Sequence, residues 1–284
     1  MSRTAPPKIM DVKEPSRILV PVSGGKDSQM CMAMAVDTVG PSRVLGVHQH
    51  TGFDHPDTYA HMDYMRERYN VEIINTKSHR YEDVPDVMMR EVMIPGRFAR
   101  MCTRQLKTGP WFRWLAKQPD LDTIEVWLGM RASESQNRRE NYGALLNGDV
   151  YAMGDTSNEC PASCKNVATR LPIVEVSTPS VFEFLRQRGD KINPLYSRGH
   201  KRVGCFPCVL AGKNSLRLVA SDPVGRDNLL TVQAAVQVIH WARQEAFFEH
   251  DLEDILSGRS DPFGLLSDAE ETEEQAGGCS WCNL

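Results

Sequence analysis

No apolar run in this 284-residue chain approaches the roughly 18 to 20 residues that a membrane-spanning helix needs. The N-terminus, Met1 to Ser16, is polar and proline-containing and has no apolar signal core, so a cytoplasmic location is the expectation. Charge of one sign is also scarce: 33 Lys and Arg stand against 37 Asp and Glu, a net charge of -4. That balance excludes a protein that coats nucleic acid through overall charge, while a local basic face stays open. No internal repeat is visible. What remains is an ordinary globular composition, 41% hydrophobic and 25% charged, long enough to bury a full core.

Short apolar segments alternate with helical patterns through the first half. Arg17 to Val22 ends in a glycine-containing turn and is followed by a buried helix over Gln29 to Val39. Strands are expected at Val44 to His48, Val71 to Asn75 and Thr123 to Leu128, with helices at Thr58 to Tyr69 and Trp111 to Ala116. This order predicts an α/β fold, a doubly wound and mostly parallel sheet. Asn137 to Asn166 reads as irregular, Ser180 to Arg188 as helix, and Asp227 to Leu256 as a helical addition. The expected organisation is an arm over 1–16, an α/β domain over 17–215, a helical extension over 216–265 and an acidic, glycine-ended tether with a terminal CxxC over 266–284.

Ser23-Gly24-Gly25-Lys26-Asp27-Ser28 falls where the first strand meets the first helix. Two glycines let backbone N–H groups approach a phosphate, and the helix N-terminus adds roughly half a positive charge. Ser23 and Ser28 supply hydroxyls, Lys26 a cation, and Asp27 a carboxylate for Mg2+. A Walker A motif is lacking, because the GxxxxGK[ST] spacing is absent. Thr51 and Gly52 follow the second strand and Gly129 and Arg131 the fourth, where a doubly wound sheet opens its ligand crevice. Arg131 is placed to pair with a phosphate or sulfate and Glu134 to orient it, although Arg131, Arg138 and Arg139 also fit an ordinary surface loop.

Eight cysteines in such a chain point to metal or thiol chemistry rather than disulfides. Cys160 with Cys164 and Cys205 with Cys208 form two pairs that suit a four-thiolate zinc or iron-sulfur site. A redox dithiol or plain buried thiols are the other readings of the CxxC. Cys31 sits in a helix among methionines and reads as a buried thiol. Cys279 and Cys282 end the chain behind the tether, as a thiol pair on an arm or as a disordered terminus.

The phosphate loop resembles that of the PP-loop ATP pyrophosphatases. Thr51 to Pro56, Cys102 to Lys107, Gly129 to Ser135 with Arg138, Asn193 to Tyr196 and Gly204 to Cys208 together resemble the phosphoadenylyl sulfate (PAPS) reductase-like branch. The resemblance implies an adenine nucleotide alpha hydrolase-like fold, with ATP cleaved between its α and β phosphates to adenylylate an acceptor. It adds Lys107 as a phosphate ligand beside Ser23 to Ser28, Thr51, Gly52, Gly129 and Arg131. Lys26, Asp27 and Arg131 then take the catalytic roles. It also implies that Cys102 joins Cys205 and Cys208 on an iron-sulfur cluster, with Cys160 or Cys164 completing the set, since the family's cysteine doublet is missing at Met101, Cys102 and Thr103.

The reductases of this branch carry a degraded loop, and here it is intact, which favours ATP as the nucleotide. The expectation is a sulfurtransferase, with ATP and Mg2+ and with an iron-sulfur cluster or zinc. Its acceptor is a nucleic acid, as in DNA phosphorothioation or tRNA thiolation, and a sulfur-donor protein or thiol reductant serves it. The basic run Arg186, Arg188, Lys191, Arg198, His200, Lys201 and Arg202 suits such an acceptor. The alternatives are a PAPS reductase, a sulfate adenylyltransferase and a non-catalytic nucleotide-binding subunit; a homodimer is left open.

Overall fold

The computed structural model describes residues 9–11, 13–96, 99–157 and 159–242. β1 (Ile18–Val22) is buried along its whole length, as a central strand covered on both faces must be. It leads into α1 (Lys26–Val39), β2 (Val44–His50), α2 (Pro56–Tyr69), β3 (Glu72–Lys77) and α3 (Val84–Glu91). A π-helical turn over Thr103–Thr108 runs into α4 (Gly109–Leu115), followed by β4 (Glu125–Trp127), α5 (Gln136–Tyr142), β5 (Val150–Ala152), α6 (Met153–Thr156) and β6 (Ala168–Arg170). The described chain closes with α7 (Thr178–Gln187), α8 (Lys213–Ser221) and α9 (Pro223–Ala242).

The six strands lie in the order β3-β2-β1-β4-β6-β5, all parallel except β5, which pairs antiparallel with β6. The α/β, doubly wound and mostly parallel sheet expected from the alternation is therefore present. Chain order reverses between β1 and β4, and a sheet of this kind opens its ligand crevice at that switch point, beyond the carboxyl ends of the strands. Alternation along β1 separates two cores. Leu19 joins Val47, Val126, Leu128 and Trp111 on one face. Ile18, Val20 and Val22 meet Met32, Met62 and Met65 of α1 and α2 on the other. A third apolar cluster, with Phe53, Val87, Met88, Leu106 and Ile239, ties α3 and α9 together beside the sheet.

The stretch from Asn137 to Asn166 is more ordered than its sequence suggests, since it holds α5, β5 and α6. Elements of three to seven residues span too few periods to show a pattern. Ile9 bridges Tyr151, and Met10 N–H donates to Val150 O at 2.8 Å, so the described part of the N-terminal arm runs along β5. The expected boundary at 215 falls inside α8. The expected C-terminal helix starts earlier, at Pro223, where a proline is accommodated because the first-turn N–H has no partner in any helix. Its part beyond 242 lies outside the described residues, as do the tether and Cys279 and Cys282. Among the described residues no helix is long and apolar enough to cross a membrane.

Candidate phosphate-binding site

Side chains cap several of the helices. His55 Nδ1 accepts from Asp57 N at 3.0 Å to start α2, Asp83 Oδ1 accepts from Asp86 N at 2.8 Å to start α3, and Ser177 Oγ accepts from Ser180 N at 3.3 Å to start α7. At α1 the N-cap is Gly25, which offers no side chain to its first N–H groups. An uncapped helix start at the switch point of the sheet is a place for an anion.

The loop that presents it is held from several sides. Gly24 has φ +71, and a Cβ there would lie 2.6 Å from Thr58 Cγ2, so both its conformation and the approach of α2 require glycine. Asn193 Nδ2 donates to Gly24 O at 3.1 Å and to Thr58 Oγ1 at 3.4 Å. Ser28 Oγ donates to Gly25 O at 3.0 Å and lies 3.4 Å from Ser23 Oγ. From β4, Gly129 presses on the first turn of α1; a Cβ on it would meet Asp27 O at 3.0 Å and Ser28 N at 3.1 Å.

Lys26 and Asp27 are each only 4% exposed, although the sequence pattern suggests an exposed loop for both; they form the first turn of a buried helix. Asp27 joins two cations: Lys26 Nζ lies 2.7 Å from Oδ2 and Arg131 Nε 2.6 Å from Oδ1. Burial pulls the Lys26 pKa down, Asp27 opposes this, and Arg131 and Arg202 reinforce it. Arg131 is buried as well, with Nη1 donating to Ser133 Oγ at 3.1 Å and to Val176 O at 3.3 Å. Glu134 lies 3.9 Å from its Nη2 and pairs with the buried Arg138, the orienting role expected of it. Arg139 is exposed, as on an ordinary surface.

Ser23, Gly25, Lys26, Asp27 and Glu134 line one small pocket with Tyr196, Arg202 and Val203. Lys26 and Arg202 line the pocket with Asp27 and Glu134, and the buried Arg131 and Arg138 pair with those two carboxylates, so the group sets four cations against two anions, which suits a polyphosphate. Arg202 donates from Nη2 to Glu134 O at 3.2 Å. Tyr196 hydroxyl accepts from Lys26 N at 3.1 Å, and the rings of Tyr196 and Phe182 lie 5.4 Å and 5.8 Å from Lys26 Nζ. The roles of Tyr196, Asn193, Phe182 and Arg202 were not legible locally. They lie 150 to 180 residues beyond the loop, and only the Asn193 to Tyr196 motif and the basic run drew attention to that part of the chain.

Three other expected ligands are engaged elsewhere. Thr51 Oγ1 donates to Asp54 Oδ2 at 2.8 Å and lies 3.5 Å from Cys205 Sγ. Gly52 has φ +68, and a Cβ would sit 2.4 Å from Glu82 O, so the turn itself requires glycine. Lys107 is buried in the π-helical turn beside β2 and β3, outside the pocket lining.

The expected cysteine ligands divide between two places in the fold. Cys102 and Cys205 pack against the α3–α9 cluster, whereas Cys160 and Cys164 belong to the core under β4 and β5. Burial pushes the Cys160 thiol up to about 12 and raises that of Cys164, which keeps both protonated. Among the described residues no three His, Cys, Asp or Glu side chains come together as a metal-binding group, so the set Cys102, Cys160, Cys164, Cys205 and Cys208 does not fit a four-thiolate centre in this conformation. Cys31 is fully buried, with Sγ 3.5 Å from Trp127 O and its pKa raised by burial, the plain thiol expected. The basic run is also less cationic than it reads: Arg186 pairs with Glu183, Arg188 with Asp37, Arg198 with Asp57 and Asp222, and His200 is buried.

Residues 17–211 match the family model of the phosphoadenosine phosphosulfate reductase domain. An uncharacterized protein of Methanocaldococcus jannaschii is 25% identical over 197 residues, 69% of this chain and 36% of that protein. The adenosine 5'-phosphosulfate reductase of Burkholderia cepacia is 25% identical over 167 residues, 57% of this chain and 58% of the reductase. The chain therefore spans about a third to three-fifths of these two relatives. Among solved structures, the PAPS reductase of Candida auris in complex with phosphate aligns over 66% of this chain and 81% of its own, with a TM-score of 0.49 and 15% identity. The U34-tRNA thiolase NcsA of Methanococcus maripaludis, with its [4Fe-4S] cluster, aligns over 85% and 78%, with a TM-score of 0.44 and 16% identity. With the family model covering most of the chain, from β1 to the start of α8, this protein belongs to the phosphoadenosine phosphosulfate reductase domain family, the PAPS reductase-like branch of the PP-loop proteins.

Proposed function

We propose that this protein is an ATP pyrophosphatase that adenylylates an acceptor for sulfur transfer. The observation that carries the reading is the intact Ser23–Ser28 loop at the start of α1, where Lys26, Arg131, Arg138 and Arg202 stand against the two carboxylates of Asp27 and Glu134. A nucleotide with a single phosphate at that position would leave much of the charge unpaired, whereas the β and γ phosphates of ATP compensate it. An acceptor oxygen attacks the α phosphorus, the bond to the β phosphate breaks, and pyrophosphate leaves with the electron pair. A sulfur nucleophile then displaces AMP from the adenylylated acceptor. Backbone N–H groups of α1, Lys26 and Arg131 stabilise the charge that develops on the phosphates. Asp27 would hold Mg2+, whose charge would offset that of the leaving pyrophosphate; a single carboxylate plus phosphate oxygens is a common donor set for that ion.

We propose a nucleic acid as the acceptor, supported by the exposed Lys191, Lys201 and Arg202, the last of which lines the pocket. The second reading is a sulfonucleotide reductase, favoured by the family match and by the Burkholderia reductase. Calorimetry separates the two: MgATP is expected to bind more tightly than phosphoadenylyl sulfate. Tighter binding of phosphoadenylyl sulfate, with its reduction to sulfite by a thiol, would replace the first reading by the second.

A further inference from the structure

Tyr196 lies between α7 and α8, and its hydroxyl oxygen takes the backbone N–H of Lys26 at 3.1 Å. That N–H belongs to the uncapped first turn of α1, where a phosphate oxygen would be received. The phenol sits directly on the loop, since a Cβ on Gly25 would come within 3.2 Å of its oxygen. With Arg202 and Val203 it closes the pocket to a cavity of about 10 Å³, which is space for about one water molecule. A polyphosphate cannot enter while the ring stays there. Burial also raises the pKa of the phenol, so it meets an incoming phosphate as a neutral hydroxyl.

We propose that Tyr196 is the gate of the phosphate site: its hydroxyl holds the anion position on α1 until a nucleotide phosphate displaces it. This rests on the reading of the pocket as a phosphate site.

The displacement has a route to the cysteine pair. Tyr196 packs against the cluster of Leu195, Val203, Phe206 and Val219, and Cys205, next to Phe206 in the chain, packs on the neighbouring α3–α9 cluster. Cys205 forms a bridge with Asp54 and approaches Thr51 Oγ1 at 3.5 Å, and Phe206 N donates to Phe53 O at 2.6 Å. A close-packed cluster transmits strain, so displacing the Tyr196 ring is expected to shift the turn that sets Cys205 against the end of β2. Phosphate occupancy and the setting of Cys205 are therefore linked.

The test uses inorganic pyrophosphate as probe and Tyr196→Phe, which keeps the ring and its packing but removes the hydroxyl. Wild type is expected to bind, Lys26→Ala to lose binding, and Tyr196→Phe to bind about fivefold tighter, because one neutral hydrogen bond no longer competes. In the wild type, saturating pyrophosphate is expected to raise the alkylation rate of Cys205 by iodoacetamide, read by peptide mapping. Equal or weaker binding by a folded Tyr196→Phe, with the wild type binding and Lys26→Ala not, overturns the gate and leaves the phosphate site standing. Should Tyr196→Phe fail to fold, the alkylation arm decides, and an unchanged Cys205 rate overturns the proposal. Absent binding in the wild type, or equal binding by Lys26→Ala, removes the phosphate site and the gate together.

Discussion

Asp27 joins Lys26 of the pocket to the buried Arg131, at 2.7 Å from Lys26 Nζ and 2.6 Å from Arg131 Nε. Asp27→Ala leaves Arg131 with Glu134 and Ser133, but leaves Lys26 against the rings of Phe182 and Tyr196. Removing one partner of a buried ion pair costs about 3 to 5 kcal/mol, because the other charge stays desolvated. At roughly 2 °C per kcal/mol for a chain of this size, the melting temperature should fall by about 8 °C. The loss depends on pH. Burial already lowers the Lys26 pKa and Asp27 opposes that, so the variant shifts it further down. Between the variant's folded value and the higher wild-type one, the folded variant has released a proton that the folded wild type still holds, so the deficit shrinks as pH rises through that interval. Pyrophosphate places negative charge on the same cations and should restore much of the loss, by about 2.7 kcal/mol at a hundred times its Kd. Thermal melts at several pH values, with and without pyrophosphate, measure all three effects. A variant that melts with the wild type and still turns over ATP would refute the reasoning.

Gly129→Ala should destabilise by about 1 to 3 kcal/mol, because the added methyl meets only backbone atoms of Asp27 and Ser28 and pushes α1 away. The displaced phosphate loop should also lower ATP turnover by about tenfold or more, and unchanged kinetics would show that β4 does not position the loop. His61 is buried in α2 with Nε2 3.1 Å from Gln29 Oε1, and burial lowers its pKa to about 4. As pH falls below about 6.5 the unfolded chain takes up a proton that the folded chain refuses, so up to about 3 kcal/mol of stability should be lost between that pH and the folded value. Urea melts across this window should show the loss in wild type and not in His61→Gln; identical pH profiles would contradict it.

Much of the sheet was legible because buried parallel strands read as compact apolar runs. Ile18–Val22 and Val44–His50 lie close to where the residues put them. The phosphate loop was legible because its chemistry is local, six consecutive residues at a strand-to-helix junction. What was not legible is what long-range packing decides. Lys26 and Asp27 read as exposed, yet Tyr196, Val203 and Gly129 close over them from distant parts of the chain. β5 has three residues and takes its place from pairing with β6, which no periodicity announces. Cys160 and Cys164 have the spacing of metal ligands but face the core under β4 and β5, and spacing alone does not say which way a thiol points.

The most direct test of the central claim is the product of ATP cleavage, measured with labelled ATP, Mg2+ and a candidate nucleic-acid acceptor, in wild type and Lys26→Ala. The expected result is AMP and pyrophosphate from the wild type and neither from a folded Lys26→Ala. Release of orthophosphate with ADP, or pyrophosphate release that persists in Lys26→Ala, would contradict it.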